Sequence, residues 1–272
     1  MGKIIITCAL TGGVPTKEMT PYVPVTPEEI AESAYSCYNA GAAVVHVHAR
    51  DENGMPTSEP KVFEDIVTRI RGKCPELIIN ISTGGRGRTQ EERGSALYLK
   101  PEMASLTTGS VNFPNIAYVN PPDIIEMLAR QMKQYKIKPE LEIFDSSMIP
   151  NAVYLHKQGL IDAPLYFNFV LGLKGAMPAD GKYFFRCLTD IPEGSIWTVS
   201  GIGKSQLEMN LYAIFNGGHV RTGIEDNIWF DRENNDKATN ERLVERVVRL
   251  ARKYKREPAT PDEARQILGL IQ

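Results

Sequence analysis

Along the chain, short runs rich in Val and Ile alternate with longer segments whose apolar residues recur at helical spacing, the pattern of repeated βα units around a parallel sheet. Eight runs read as strands: Ile4–Ala9, Ala43–His48, Leu77–Ser82, Met103–Thr107, Leu141–Phe144, Leu165–Leu171, Ile196–Ser200 and His219–Thr222. Several lack polar alternation, as strands covered on both faces do. Helix starts between them are legible from their chemistry. Thr26-Pro-Glu-Glu sets an N-cap Thr before Pro at the first helical position and a carboxylate at the third, and Pro122-Asp123 opens another helix. Asn39-Ala-Gly41 and Asn216-Gly-Gly218 read as left-handed stops leading into strands. Thr260-Pro-Asp-Glu-Ala repeats the start signature after the eighth unit and predicts an extra C-terminal helix.

No repeat, linker or low-complexity tract divides the chain, so residues 1–272 are expected to form a single catalytic domain. Eight βα units in 272 residues fit a (β/α)8 TIM barrel, although a doubly wound open sheet shares the alternation. What separates them is where polar residues gather. His46, His48, Ser82, Ser105, Thr107, Glu142 and Arg221 all fall late in their strand candidates. In a barrel that end carries the chemistry, so the one-sided collection favours the barrel.

Charge narrows the partners. With 31 Lys and Arg against 33 Asp and Glu, a net charge of −2 and a pI of about 6.2, the chain has no global attraction for a phosphate backbone. Nucleic acid is therefore not expected as a partner. No apolar run approaches the roughly 18 residues of a membrane span. The opening Met1-to-Leu10 stretch lacks a small-x-small cleavage site and reads as a first strand, and Ile6 stands where a myristoylation motif wants Ser or Thr. Cys8, Cys37, Cys74 and Cys187 lie far apart with no C-x-x-C, three of them within apolar runs, which is consistent with reduced thiols and a cytoplasmic setting.

The strongest local signal is Val44-Val45-His46-Val47-His48. Two His at i and i+2 of a strand share a face about 6.6 Å apart along it and can share one metal, or be two buried, hydrogen-bonded histidines. Two of only four His meet here, at the functional end of a strand, which favours the metal; His156, in a polar helix, reads as surface. Gly223-Ile-Glu225-Asp226-Asn227 follows the eighth strand, beside the second across a closed barrel's mouth, and Glu225 is the candidate third ligand. Adjacent carboxylates after a strand are commonly turn residues. Beside Arg221 and a metal they gain a second reading, one binding the ion and its neighbour acting as a base held ionised by the guanidinium. Ser82-Thr83-Gly84-Gly85-Arg86-Gly87-Arg88 is a basic glycine loop that can bind an anion or simply be solvated. Ser200-Gly201-Ile202-Gly203-Lys204-Ser205 is no Walker A loop, because Thr198 stands where its first Gly belongs. It does occupy the place where barrels often hold phosphate.

Taken together, A-L-T-G-G (9–13), H-V-H (46–48), I-S-T-G-G (81–85), K-P-E-M-A-S-L (100–106), F-V-L-G (169–172), S-G-I-G-K (200–204) and G-G-H-V-R-T-G-I-E-D-N (217–227) resemble the β-keto acid cleavage enzymes over almost the whole chain. The resemblance implies a TIM barrel, a homotetramer, one Zn2+ per subunit and acetyl-CoA as co-substrate. It makes His46, His48 and Glu225 the metal ligands, Asp226 the base and Arg221 its charged partner, with Ser82, Ser105 and Glu142 contacting substrate or supporting the base. Thr107 and Arg86 are expected near the substrate, and Gly201, Gly203 and Lys204 near the CoA phosphates. The reaction implied joins a β-keto acid to acetyl-CoA, giving acetoacetate and a new acyl-CoA. Members acting on an ammonium-tailed substrate carry a carboxylate just after T-G-x, whereas this chain reads Thr11-Gly12-Gly13-Val14-Pro15, so Val14 is expected to select against such a tail.

Two other readings are open to the sequence. Metal-dependent amidohydrolases also use H-x-H in a barrel, but on the first strand with further His on the fifth and sixth, where this chain has none. A non-catalytic metal- or acyl-CoA-binding barrel is the other, and it leaves Arg221, Glu225 and Asp226 without a purpose.

Overall fold

The computed structural model describes residues 2–85 and 88–270. Eight parallel strands close into a barrel: β1 (Ile6–Ala9), β2 (Val44–Val47), β3 (Ile78–Ile81), β4 (Met103–Thr107), β5 (Lys138–Ile143), β6 (Tyr166–Leu171), β7 (Ile196–Gly201) and β8 (His219–Thr222). Neighbours in sequence are neighbours in the sheet, and β8 closes on β1 with Thr7 paired to Arg221. The open-sheet alternative is thereby excluded. Each strand is followed by a helix: α1 (Pro27–Ala40), α2 (Pro60–Lys73), the short α3 (Gln90–Arg93), α4 (Pro122–Tyr135), α5 (Met148–Lys157), α6 (Gly181–Asp190), α7 (Gln206–Phe215) and α8 (Asn240–Lys253). The added C-terminal helix is α9 (Pro261–Leu268).

Local chemistry sets these boundaries. Thr26 and Glu29 satisfy each other's orphan N–H groups at the start of α1, Pro27 fixes its first φ, and Gly41 ends it at φ 112°. Thr260 and Glu263 repeat the device on α9. The expected strand ends shift by a few residues. Ile4 makes only an isolated bridge to Pro258, His48 and Ser82 lie just past their strands, and β5 begins at Lys138, three residues early.

Alternate residues of each strand divide the interior. Ile6, Cys8, Val45, Val47, Ile79 and Phe167 pack outward under the helices, while Ile5, Val44, Ile78, Met103 and Tyr166 form an inner apolar layer. That layer is capped by Ala264 and Leu268 of α9. The extra helix is thus a plug for the N-terminal end of the barrel, leaving the opposite end for chemistry. The four cysteines are free and buried, and no described helix is long and apolar enough to cross a membrane.

Candidate active site at the C-terminal mouth of the barrel

β2 delivers His46 into the barrel and releases His48 one step beyond its end, their rings 5.1 Å apart and edge to face. Glu225 arrives from the loop after β8. Two glycines make that possible. A Cβ on Gly223, at φ 138°, would lie 2.1 Å from the Ala9 carbonyl oxygen, and one on Gly12 would lie 2.5 Å from Glu225 Cγ. Asn240 then ties the loop down, accepting from Ile224 N–H at 2.8 Å and donating to the Leu10 carbonyl at 3.0 Å.

The result is a three-donor cluster. One ligand atom from each of His46, His48 and Glu225 lies within 4.8 Å of the others. Glu225 Oε2 is 3.8 Å from His46 Nε2, and Oε1 is 3.4 Å from His48 Nε2. Glu225 Oε2 is buried without a hydrogen-bond partner, a costly state for a carboxylate oxygen unless a cation completes it. Burial lowers the His46 imidazole to about 3, so it is neutral and its lone pair is available. Two nitrogens and a carboxylate oxygen are a donor set suited to zinc or a similar divalent ion with room for further ligands.

Arg221, buried on β8, joins this cluster to a second one. Its Nη2 donates to Glu225 Oε1 at 2.7 Å, and Nε and Nη2 grip Asp226 at 3.0 and 3.1 Å. Its Nη1 faces Glu140 at 3.9 Å and Glu142 at 4.0 Å without bonding to either. Burial raises Asp226, Glu142 and Glu140, the last to about 7, against the pull of Arg221. At Glu225 burial pushes the same way, but the Arg221 guanidinium overcomes it and holds the carboxyl well below its usual range.

The remaining expected residues divide. Thr107 donates to Glu142 at 2.6 Å, on the wall of the site. Ser82 and Ser105 are buried beside it, accepting from the N–H groups of Gly84 and Thr83 and so holding the loop after β3. Val14 is half-exposed on the loop after β1, which Arg50 anchors through the Gly12 and Pro15 carbonyls. Lys204 is exposed and makes no ion pair among the described residues. The Gly203 N–H is not available to a phosphate, because it donates to the Asp226 carbonyl at 2.8 Å; Gly201 ends β7. Arg86 lies outside the described residues. His156 is half-buried, its Nδ1 2.7 Å from the Ile161 carbonyl, rather than on the surface.

Sequence reasoning missed Glu140, Arg50, Arg93 and Tyr118. Glu140 was findable, since Glu140 and Glu142 are two apart on one strand and share its inner face.

A family profile described as beta-keto acid cleavage enzyme matches residues 3–270. The chain is 47% identical to a 3-keto-5-aminohexanoate cleavage enzyme of Fusobacterium nucleatum subsp. nucleatum, over 99% of both chains. It is 44% identical to a 3-oxoadipate:acetyl-CoA acetyltransferase of Cupriavidus necator, over 98% of this chain and 94% of that one. Among solved structures, apo ObcA superposes with a TM-score of 0.80 at 22% identity, over 92% of this chain and 66% of that larger one, a likeness of fold. With the sequence matched from end to end and the barrel and its mouth in place, this chain belongs to the β-keto acid cleavage enzyme family.

Proposed function

We propose that the protein transfers acyl groups between a β-keto acid and acetyl-CoA, releasing acetoacetate and a new acyl-CoA, with zinc at His46, His48 and Glu225. The observation that carries this reading is the shared guanidinium: Arg221 grips Glu225 and Asp226 at once, setting a base beside a three-donor cation site. A divalent ion bound there would act as a Lewis acid toward the keto and carboxylate oxygens and acidify the C–H between them. Asp226 takes that proton, and Arg221 keeps the carboxylate oriented and balances its charge. The substrate carbanion then attacks the thioester carbonyl of acetyl-CoA. Coenzyme A leaves as thiolate and adds to the substrate's own keto carbon; the carbon–carbon bond then breaks to leave the new acyl-CoA and the acetoacetate carbanion, to which Asp226 returns its proton. Ser82, Ser105, Thr107 and Glu142 shape the wall against which the keto acid lies.

Val14 bears on the tail of that acid. Half-exposed Val14 puts no carboxylate after Gly13, so an ammonium tail gains no ion pair there. A β-keto acid with a short, uncharged tail is the preferred substrate. Acetoacetate formation from acetyl-CoA, measured over amino, neutral and carboxylated β-keto acids, tests both levels. No turnover with any of them overturns the reaction. A preference for the amino substrate, or a ranking unchanged in Val14→Glu, removes residue 14 from tail selection and turns attention to Arg88, half-buried in the loop after β3.

A further inference from the structure

Arg93, on α3, is a buried cation with no carboxylate of its own. It is 5% exposed. Its Nε–H donates to the Thr83 carbonyl at 3.0 Å, Nη1 to the Val119 carbonyl at 3.4 Å, and Nη2 to Asn120 Oδ1 at 2.7 Å and the Tyr118 hydroxyl at 3.3 Å. Every one of these acceptors is uncharged, and among the described residues no carboxylate pairs with the guanidinium. A buried charge is expensive unless an anion answers it.

The answer lies two hydroxyls away. Tyr118 is 3.4 Å from Thr107 Oγ1, and Thr107 donates to Glu142 Oε2 at 2.6 Å. The donor order is forced from both ends, since a guanidinium only donates and an ionised carboxylate only accepts. Arg93 therefore donates to Tyr118, Tyr118 to Thr107, and Thr107 to Glu142. The tyrosine ring is clamped for this purpose, stacked on Phe113 at 5.1 Å and met edge-on by Phe144 at 6.5 Å. The chain borders the active site. A Cβ on Gly84 would lie 3.7 Å from His48 Cε1 and 3.9 Å from the Tyr118 hydroxyl, while one on Gly85 would run into Arg93 at 2.3 Å.

We infer that Arg93 and Tyr118 are positioning residues for Glu142, holding it through Thr107 so that its free oxygen faces Arg221, the group that orients Asp226. The effect on turnover rests on the proposed acyl transfer; the chain itself does not. Without the Tyr118 hydroxyl, Thr107 is no longer fixed in its donation to Glu142, and the carboxylate oxygen that faces Arg221 loses its set position. Arg93 and Tyr118 reach the keto-acid wall only through Thr107 and Glu142 and are not assigned to acetyl-CoA, so the loss is expected in kcat with KM for acetyl-CoA little changed.

The test is a double-mutant cycle of Tyr118→Phe and Glu142→Gln in the metal-loaded full chain, read in two ways. Tyr118→Phe is chosen because it keeps the clamped ring, whereas Arg93→Gln strands several carbonyls and threatens folding. Thermal midpoints need no substrate. Two cuts in one chain are expected to give a double variant within about 1 °C of the worse single one, and additive shifts overturn the inference. In the acyl-transfer assay, Tyr118→Phe is expected to lower kcat about tenfold, with KM for acetyl-CoA within twofold of the wild type, and the double variant is expected to be no slower than Glu142→Gln alone. Wild-type kcat in Tyr118→Phe, or losses that multiply, overturns the positioning role. A wild type that turns over no β-keto acid overturns the proposed reaction instead, and the midpoints still decide the chain.

Discussion

Glu225 and Asp226 are adjacent, both reach Arg221, and yet their carboxyls move in opposite directions. Burial raises Asp226 despite the guanidinium, and the Glu225 charge beside it adds to the rise. Glu225 also faces burial, but the Arg221 guanidinium holds it ionised. Neighbouring acids driven apart in this way suit two tasks, a permanent anion for a cation and a carboxyl able to take and return a proton. Asp226→Asn keeps the shape but loses the proton acceptor, so metal content is expected to survive while kcat drops about a hundredfold or more. His46→Ala, by contrast, is expected to lose the metal itself. Elemental analysis beside kcat separates the two, and normal turnover in Asp226→Asn would move the base to Glu142.

Among the elements, what was legible in the sequence followed from local rules. H-x-H, the acidic pair after β8 and the capped starts of α1 and α9 each need only their own neighbours, and each appears where its spacing put it. Arg93, Tyr118 and Arg50 were not legible, because the first and last are surface-like residue types turned inward and all three find partners across different βα units. The plug formed by α9 belongs to the same class: a helix start can be read, but not the barrel end that it caps. Leu268, fully buried there, makes the assignment testable. Leu268→Ala is expected to cost about 2–5 kcal/mol, a drop of several degrees in Tm, with kcat unchanged because the site is at the other end. The loop after β7 yields the opposite pattern. Lys204→Ala should leave Tm alone and raise KM for acetyl-CoA about tenfold over that for the keto acid, the loss of one charge-assisted phosphate contact. Equal changes in both constants would remove Lys204 from coenzyme binding.

For the molecule as a whole, stability in mild acid is set by buried groups that pull against each other. His219 accepts the Ile5 N–H at 3.0 Å, and burial, reinforced by Arg256, lowers it to about 3 from an ordinary 6.5. Between those values the unfolded chain binds a proton that the folded one refuses, so stability falls as pH drops from about 6.5 toward 3. Glu140 works in the other direction. Fully buried, facing Arg221 and Glu142 and bonded to Asn80 and Asn168, it is raised by burial to about 7 from an ordinary 4.5. Here the folded chain binds the proton first, so its contribution is complete below about 4.5 and is lost as pH rises through 7. At about 1.4 kcal/mol per unit, each group changes stability by roughly 2 kcal/mol between pH 7 and pH 5, with opposite signs. Over that window the two oppose each other in the wild type, and single variants should separate them. Glu140→Gln removes the acid-side gain, so its Tm should fall more steeply than the wild type's from pH 7 to pH 5. His219→Asn keeps an acceptor for Ile5 but cannot be protonated, so its Tm should fall less steeply or rise. Thermal unfolding of the three proteins at both pH values decides it, and parallel slopes in all three would show that neither group exchanges its proton on unfolding in this range.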